Sequence, residues 1–355
     1  MAEVFRIPDK LYDRIADAPW IIGRLSTSVG EIPRVAAGLG WSDVLGSWQA
    51  RWGINRMHFT VEPGLYCVGE PDANSPVLVS ANYKLSFDRL RQQLQGIQAW
   101  IMVLDTQGIN VWCAAGKGTF GTAELIRRIA RVGLERVVDH RVVILPQLGA
   151  TGVAAYEVRK RSGFKVVYGP VRAEDIPAFL QAGMKAEAEM RRVRFGFWDR
   201  LILTPIEIRS ILTKPAVLLT VVLLLIANLS GLTEITAGDA LPYAGAVLIG
   251  TVVTPALLPW VPGPAFAWKG GLLGLLWAAG VVYGQGTWSQ PGGLWVSLGQ
   301  LLILPAIAAY LALQFTGAST YTSFSGVIKE TKTAMPIIKM SAALGVVAFI
   351  MAFLG

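Results

Sequence analysis

Residues 110–120 read NVWCAAGKGTF and set one thiol among very small side chains. Cys113 follows the bulky Trp112 and precedes Ala114, Ala115 and Gly116, shortly after the apolar run WIMVLDT (100–106). Four chemistries can be held against that pattern. A phosphate loop would need Gly at 111 and Ser or Thr at 118, where the chain has Val111 and Gly118. A nucleophilic cysteine wants a histidine base, and with His140 as the one available partner that case is thin. A redox pair needs a second cysteine at C-x-x-C spacing, whereas the only other cysteine is Cys67. The fourth chemistry uses sulfur as a soft ligand to a metal carried by a cofactor with its own equatorial donors. Ala114, Ala115 and Gly116 would then let a flat macrocycle lie against a short helix. An inert buried cysteine fits the residue types equally well.

The elements that must position this stretch alternate in type. Strands are expected at 64–69, 76–82, 100–106, 141–147 and 165–171, and helices at 86–95, 122–133, 153–162 and 176–184. Such alternation predicts an α/β, Rossmann-like domain with a parallel sheet covered on both faces. Ligands bind beyond the C-terminal strand ends of such sheets, where 110–120, 146–150 and 168–170 converge. Asn82, Ser86, Thr119, Thr122, Gln147 and Gly149 fall at or near that rim and could meet a ligand's polar edge. Helix capping and turn chemistry account for the same residue types. Cys67, inside an apolar strand, reads as core, and His58 and His140 as surface or turn residues.

Composition divides the chain. Of its 355 residues 53% are hydrophobic and 16% charged, too apolar for an ordinary soluble enzyme. Most charge lies in 1–210. Stretches near 214–232, 241–260, 269–285, 294–315 and 336–354 approach the roughly 20 apolar residues that cross a bilayer. An all-α membrane domain of five transmembrane helices is therefore expected after the α/β domain. Arg209, Lys214, Lys269, Lys329, Lys332 and Lys339 all fall on one side of this topology, which places the N-terminal domain in the cytoplasm and the C-terminus outside. The N-terminus MAEVFRIPDKLYDR has no secretory apolar core. The formal charge of +8 is not arranged as a basic stripe with interleaved aromatics, so nucleic acid is not an expected partner. The domains expected are an unassigned 1–54, an α/β domain over 55–186, an amphipathic linker over 187–213 that lies on membrane lipid, and the spans over 214–355.

The stretch NVWCAAGKGTFGT (110–122) resembles the cap-helix motif of the HgcA family, the membrane-bound corrinoid proteins of microbial mercury methylation. The large subunit of the corrinoid iron–sulfur protein shares a similar region. The likeness extends through 75–91, 144–153 and 166–180. It implies a cobalamin-type corrinoid bound base-off, with Cys113 as lower axial ligand to cobalt. Asn110, Val111, Trp112, Ala114, Ala115, Gly116 and Lys117 would form the helix that presents it. It further implies methyl transfer to mercury(II), a methyl donor derived from methyltetrahydrofolate, and a ferredoxin-like partner with two [4Fe–4S] clusters as electron donor. The soluble relative carries an N-terminal cysteine set for an iron–sulfur cluster. With two cysteines, this chain is expected to hold none. Rival readings are a methyl carrier of one-carbon metabolism with another acceptor, and a corrinoid storage or delivery protein.

Overall fold

In a computed structural model, the described residues are 18–354 apart from 233. The N-terminal stretch read above for a signal lies outside them. The chain divides into one unit that reaches Ala50 and resumes over Ile54–Val193, and a second made of Arg51–Gly53 and Arg194 onward.

The first unit is a mixed α/β sheet. Its strands are β1 (Ile21–Thr27), β2 (Gly30–Val35), β3 (Leu65–Val68), β4 (Val77–Ala81), β5 (Ala99–Leu104), β6 (Val142–Leu145) and β7 (Lys165–Tyr168), in the order β1-β2-β3-β5-β4-β6-β7. Its helices are α1 (Trp41–Arg51), α2 (Lys84–Gln92), α3 (Val111–Lys117), α4 (Thr122–Arg131), α5 (Leu134–Val137), α6 (Ala155–Ser162) and α7 (Ile176–Gln181). β4 and β5 are buried at every position, as strands covered on both faces must be, and β4 runs parallel to both β5 and β6.

Two features depart from the expected parallel sheet. β3 runs antiparallel to β5. Residues 69–76 between β3 and β4 hold no helix, and without a crossover the chain reverses. The sheet also begins far earlier than position 64, with an antiparallel β1–β2 hairpin drawn from the segment left unassigned. Its alternating, half-exposed pattern is that of a sheet edge, not of the continuous apolar runs used to find the other strands.

A buried ion cluster ties that early segment to the sheet. Lys84 Nζ lies 2.6 Å from Asp43 and 2.7 Å from Asp88, while Arg91 reaches Asp43 at 2.7 Å and Asp88 at 2.8 Å. All four side chains are buried. Burial alone would push the Asp43 carboxyl up. Lys84, the Gly40 amide and Arg91 outweigh it and hold the group below the usual carboxylate range. Beside this cluster Phe87 meets Trp20 and Tyr66 edge to face at 5.4 and 5.3 Å between centroids, and Trp20 lies tilted on Tyr66 at 6.0 Å.

The second unit is helical: α8 (Phe197–Leu201), α9 (Thr204–Leu212), α10 (Pro215–Leu229), α11 (Ala237–Leu248), α12 (Thr254–Leu257), α13 (Phe266–Gln285), α14 (Gly293–Gln314) and α15 (Phe324–Leu354). α13 and α14 pack through small residues. A Cβ on Gly270 would lie 2.5 Å from that of Ala312, and one on Gly274 would lie 2.7 Å from that of Ala308. The turn after α12 is pinned by charge: Arg200 donates to the Ala256 carbonyl (2.9 Å), and Glu330 accepts from the Ala267 amide (2.8 Å).

Among the described residues four helical stretches are long and apolar enough to cross a membrane: Ala237–Leu257, Phe266–Gln285, Gly293–Ala318 and Ser325–Leu354. The expected first span falls short. α10 has 15 residues, about 22 Å against a hydrocarbon core of about 30 Å. It reaches span length only together with Phe197–Leu212, from which it bends by 60°. The span expected over 336–354 is the latter part of α15, which starts at Phe324 and carries Pro336 within it.

Candidate functional site

Strand order reverses at β4, whose successor β5 lies on one side while β6 lies on the other. Open α/β sheets bind ligands at such a switch point, outside the C-terminal strand ends. α3, which carries Cys113, packs there against the short turn Gln147–Gly149 after β6 and against β4.

Local chemistry fixes this seven-residue helix at both ends. Asn110 is its N-cap, with Oδ1 accepting from the Cys113 amide at 2.9 Å. At the other end Gly118 adopts φ 80°, and the Ala114 carbonyl accepts from the Thr119 and Phe120 amides. Ala114 and Ala115 face inward and are buried. They meet a loop that tolerates only glycine: a Cβ on Gly152 would stand 2.2 Å from the Phe120 carbonyl and 3.0 Å from Ala115 Cα, and one on Gly149 would stand 2.5 Å from the Phe120 ring.

Trp112, Cys113, Gly116 and Lys117 are exposed. Cys113 is a free, exposed thiol, so the inert buried cysteine does not describe it. That description belongs to Cys67, which is fully buried; burial pushes its thiol up to about 12, against a lowering by Arg34 and a further raising by Glu70. Gly116 differs from its neighbours at 149 and 152. A Cβ there would meet nothing within 4 Å, and its backbone is ordinary helix. Helical glycine costs about 0.5–1 kcal/mol relative to alanine, and no internal contact offsets that cost. The result is a bare surface one turn from the thiol.

The loop entering α3 is held from beneath. Asn82 Oδ1 accepts from the Thr106 amide (3.1 Å), the Thr106 hydroxyl (2.8 Å) and the Gly108 amide (3.0 Å). Gln107 and Gly108 both take left-handed backbone, with φ 58° and 71°, and a Cβ on Gly108 would lie 2.8 Å from the Met57 carbonyl. Glu124 accepts from the Asp105 amide at 3.0 Å and pairs with Arg128 at 2.6 Å. Burial pushes its carboxyl up, but the Asp105 amide, Arg128 and Arg127 together hold it below the ordinary range.

The structure therefore brings 110–120, 146–152 and 169–170 to one rim, with the Gln147 amide donating to the Pro170 carbonyl at 3.2 Å. The expected site residues divide by what they touch. Asn110, Val111 and Ala114 to Lys117 build the helix itself. The Thr122 hydroxyl accepts from the Ala154 amide at 2.8 Å, Gln147 Oε1 accepts from Arg191 at 2.6 Å, and Asn82 is spent on the Thr106–Gly108 turn. The Thr119 hydroxyl lies 3.4 Å from the Ala114 carbonyl, and Ser86 is half-buried on α2. Gly152, Glu124 and Met57 also shape this rim and were not singled out from sequence. The buried acid at Glu124 had a visible signal, an i, i+4 pairing with Arg128.

Among the described residues no group of three or more His, Cys, Asp or Glu side chains could hold a metal ion. A metal placed here would have one protein donor, Cys113, and would bring its remaining ligands with it. The class defined by fold and site is thus an α/β domain that presents a free cysteine and a bare glycine face from a capped helix at its switch point.

Comparison with known proteins adds a relationship. Residues 51–180 match the family of the CO dehydrogenase/acetyl-CoA synthase delta subunit. The chain is similar to the gamma subunit of the acetyl-CoA decarbonylase/synthase complex of Methanopyrus kandleri, at 36% identity over 34% of this chain and 26% of that protein. It is similar to the corrinoid/iron–sulfur protein large subunit of Moorella thermoacetica, at 29% identity over 35% of this chain and 28% of that protein. The chain spans about a quarter of the length of these relatives. These likenesses support a relationship of this segment to the corrinoid-protein family.

Proposed function

We propose that the first unit binds a corrinoid against α3 and that the chain is a membrane-anchored corrinoid methyltransferase delivering methyl to mercury(II). The observation that carries this reading is the outward Cys113 beside side-chain-free Gly116, at the switch point of a segment similar to corrinoid proteins. A corrinoid bound there supplies a cobalt that accepts and releases a methyl group. Cys113 Sγ would be the protein's donor to that metal. Asn110 caps the helix through the Cys113 amide, and the buried Ala114–Ala115 face seats α3 against the rest of the unit. A thiolate pushes electron density onto its metal, which favours methyl release to a soft acceptor such as mercury(II). Electrons would come from a ferredoxin-like partner with two [4Fe–4S] clusters, and methyl from a methyltetrahydrofolate-derived donor. The helical unit would anchor the chain in the cytoplasmic membrane, with the first unit in the cytoplasm, the C-terminus outside, and the bent α8–α10 segment as a fifth, broken span.

The test is an anaerobic absorption spectrum of the full chain with methylcobalamin, wild type beside Cys113→Ala, followed by a mercury(II) methyl-transfer assay. A shift of the cobalt bands that is lost in the variant, with methylmercury formed only by wild type, is the expected result. Identical spectra would end the ligand role of Cys113. Thiolate-dependent bands without methylmercury would favour a methyl carrier with another acceptor, the reading to which the relatives' names point.

A further inference from the structure

α1 carries an apolar stripe that stands exposed among the described residues. Trp41, Leu45 and Trp48, spaced i, i+4, i+7 on one face, are 80%, 49% and 62% exposed, and Ile54 and Met57 continue the exposed surface just beyond. The helix is not loose. Its opposite face is fixed by Asp43 in the buried ion cluster, by buried Ala50, and by Gly46, where a Cβ would stand 2.5 Å from Phe59. Two tryptophans and a leucine held rigidly in water on one helix face mark an interaction surface.

We propose that this face lies in the headgroup region of the bilayer, giving the first unit a contact with anionic lipid separate from the spans. Two observations favour lipid. Tryptophan partitions to the membrane interface, with its ring at headgroup depth. Over 36–61 the only acidic residue is Asp43, which is buried and neutralised by Lys84 and Arg91, whereas Arg51 and Arg56 add positive charge. The inference rests on the proposed membrane placement of the second unit.

The test uses the full chain with Cys113→Ser, so that introduced cysteines can be labelled while Cys67 stays buried. A fluorophore is placed at Leu45→Cys, at Arg161→Cys on α6, or at Val347→Cys on α15, in nanodiscs of phosphatidylcholine with or without phosphatidylglycerol, using brominated acyl chains as quencher. Position 347 is expected to be quenched strongly and position 161 weakly. Position 45 should be quenched about threefold more than 161, more so with phosphatidylglycerol, and less when Trp41→Ser and Trp48→Ser are added. Quenching at 347 with position 45 behaving like 161 overturns the lipid contact and leaves the membrane placement standing. No quenching at 347 overturns the placement and the contact with it. A position 45 shielded from aqueous iodide yet unquenched by lipid assigns the face to a protein and equally overturns the proposal.

Discussion

Gly116→Ala separates the ligand-binding reading of α3 from a purely structural one. An added Cβ at 116 meets nothing within 4 Å, and the position is helical, so the protein itself gains from the change. Replacing helical glycine by alanine is worth about 0.5–1 kcal/mol, which slows amide exchange from the locally opened helix about two- to fivefold. Mass-spectrometric hydrogen exchange on the peptide covering 110–122, in the full chain without cofactor, reads this directly. The same methyl group would stand on the bare surface where the proposed macrocycle would rest, one turn from Cys113. Methylcobalamin affinity is expected to fall about tenfold or more, equivalent to about 1.4 kcal/mol. Slower exchange with weaker cobalamin binding is the combined signature. Unchanged affinity would refute the claim that the ring lies over Gly116, and faster exchange would refute the claim that the space is open. Gly152→Ala is the opposite control: its Cβ meets the Phe120 carbonyl at 2.2 Å, so exchange should quicken across α3 and the 149–152 loop even without ligand.

Three further perturbations test the supports. Glu124→Gln leaves the buried Arg128 without its carboxylate and should cost the first unit about 3 kcal/mol, seen as earlier denaturant unfolding with faster exchange in the 105–110 loop. The Asp43 and Glu124 carboxyls sit below their unfolded values, so they contribute stability above about pH 4 that is lost as pH falls through their folded values; a pH titration of unfolding should slope downward there, and Asp43→Asn should flatten it. In the helical unit Gly274→Val should disrupt the α13–α14 contact, since even a Cβ meets Ala308 at 2.7 Å and Pro305 Cα at 2.8 Å. Gly280→Val, with open space around it, should leave thermal stability in detergent within about 0.5 kcal/mol of wild type.

What was legible in the sequence follows from what each element buries. β4 and β5 are continuous apolar runs because both faces are covered, and such runs announce themselves. The β1–β2 hairpin alternates at half-exposed positions, and its meaning depends on a partner, Arg34 opposite Cys67, that lies far along the chain. The Asp43–Lys84–Asp88–Arg91 cluster was hidden for the same reason, since only folding brings 43 beside 84–91.

That cluster also bears on how the likeness to corrinoid proteins should be weighed. Within 75–91 three of the four charged residues, Lys84, Asp88 and Arg91, are consumed by the buried network while Arg89 is exposed, so similarity at those three testifies to the fold. Asn82 is likewise consumed by the turn it holds, and Gly149 and Gly152 by the loop packed on Ala115 and Phe120. Within 110–118 the position is different. Asn110, Ala114, Ala115 and Gly118 have structural tasks, whereas Trp112, Cys113, Gly116 and Lys117 point outward. In this helix four residues fix the frame while four others face solvent, one of them a thiol and one a glycine that costs stability, and the proposed corrinoid would meet those four. The functional claim therefore rests on those outward residues, and substitutions at 113 and 116 test it where changes at 82, 84 or 149 would report only on the fold.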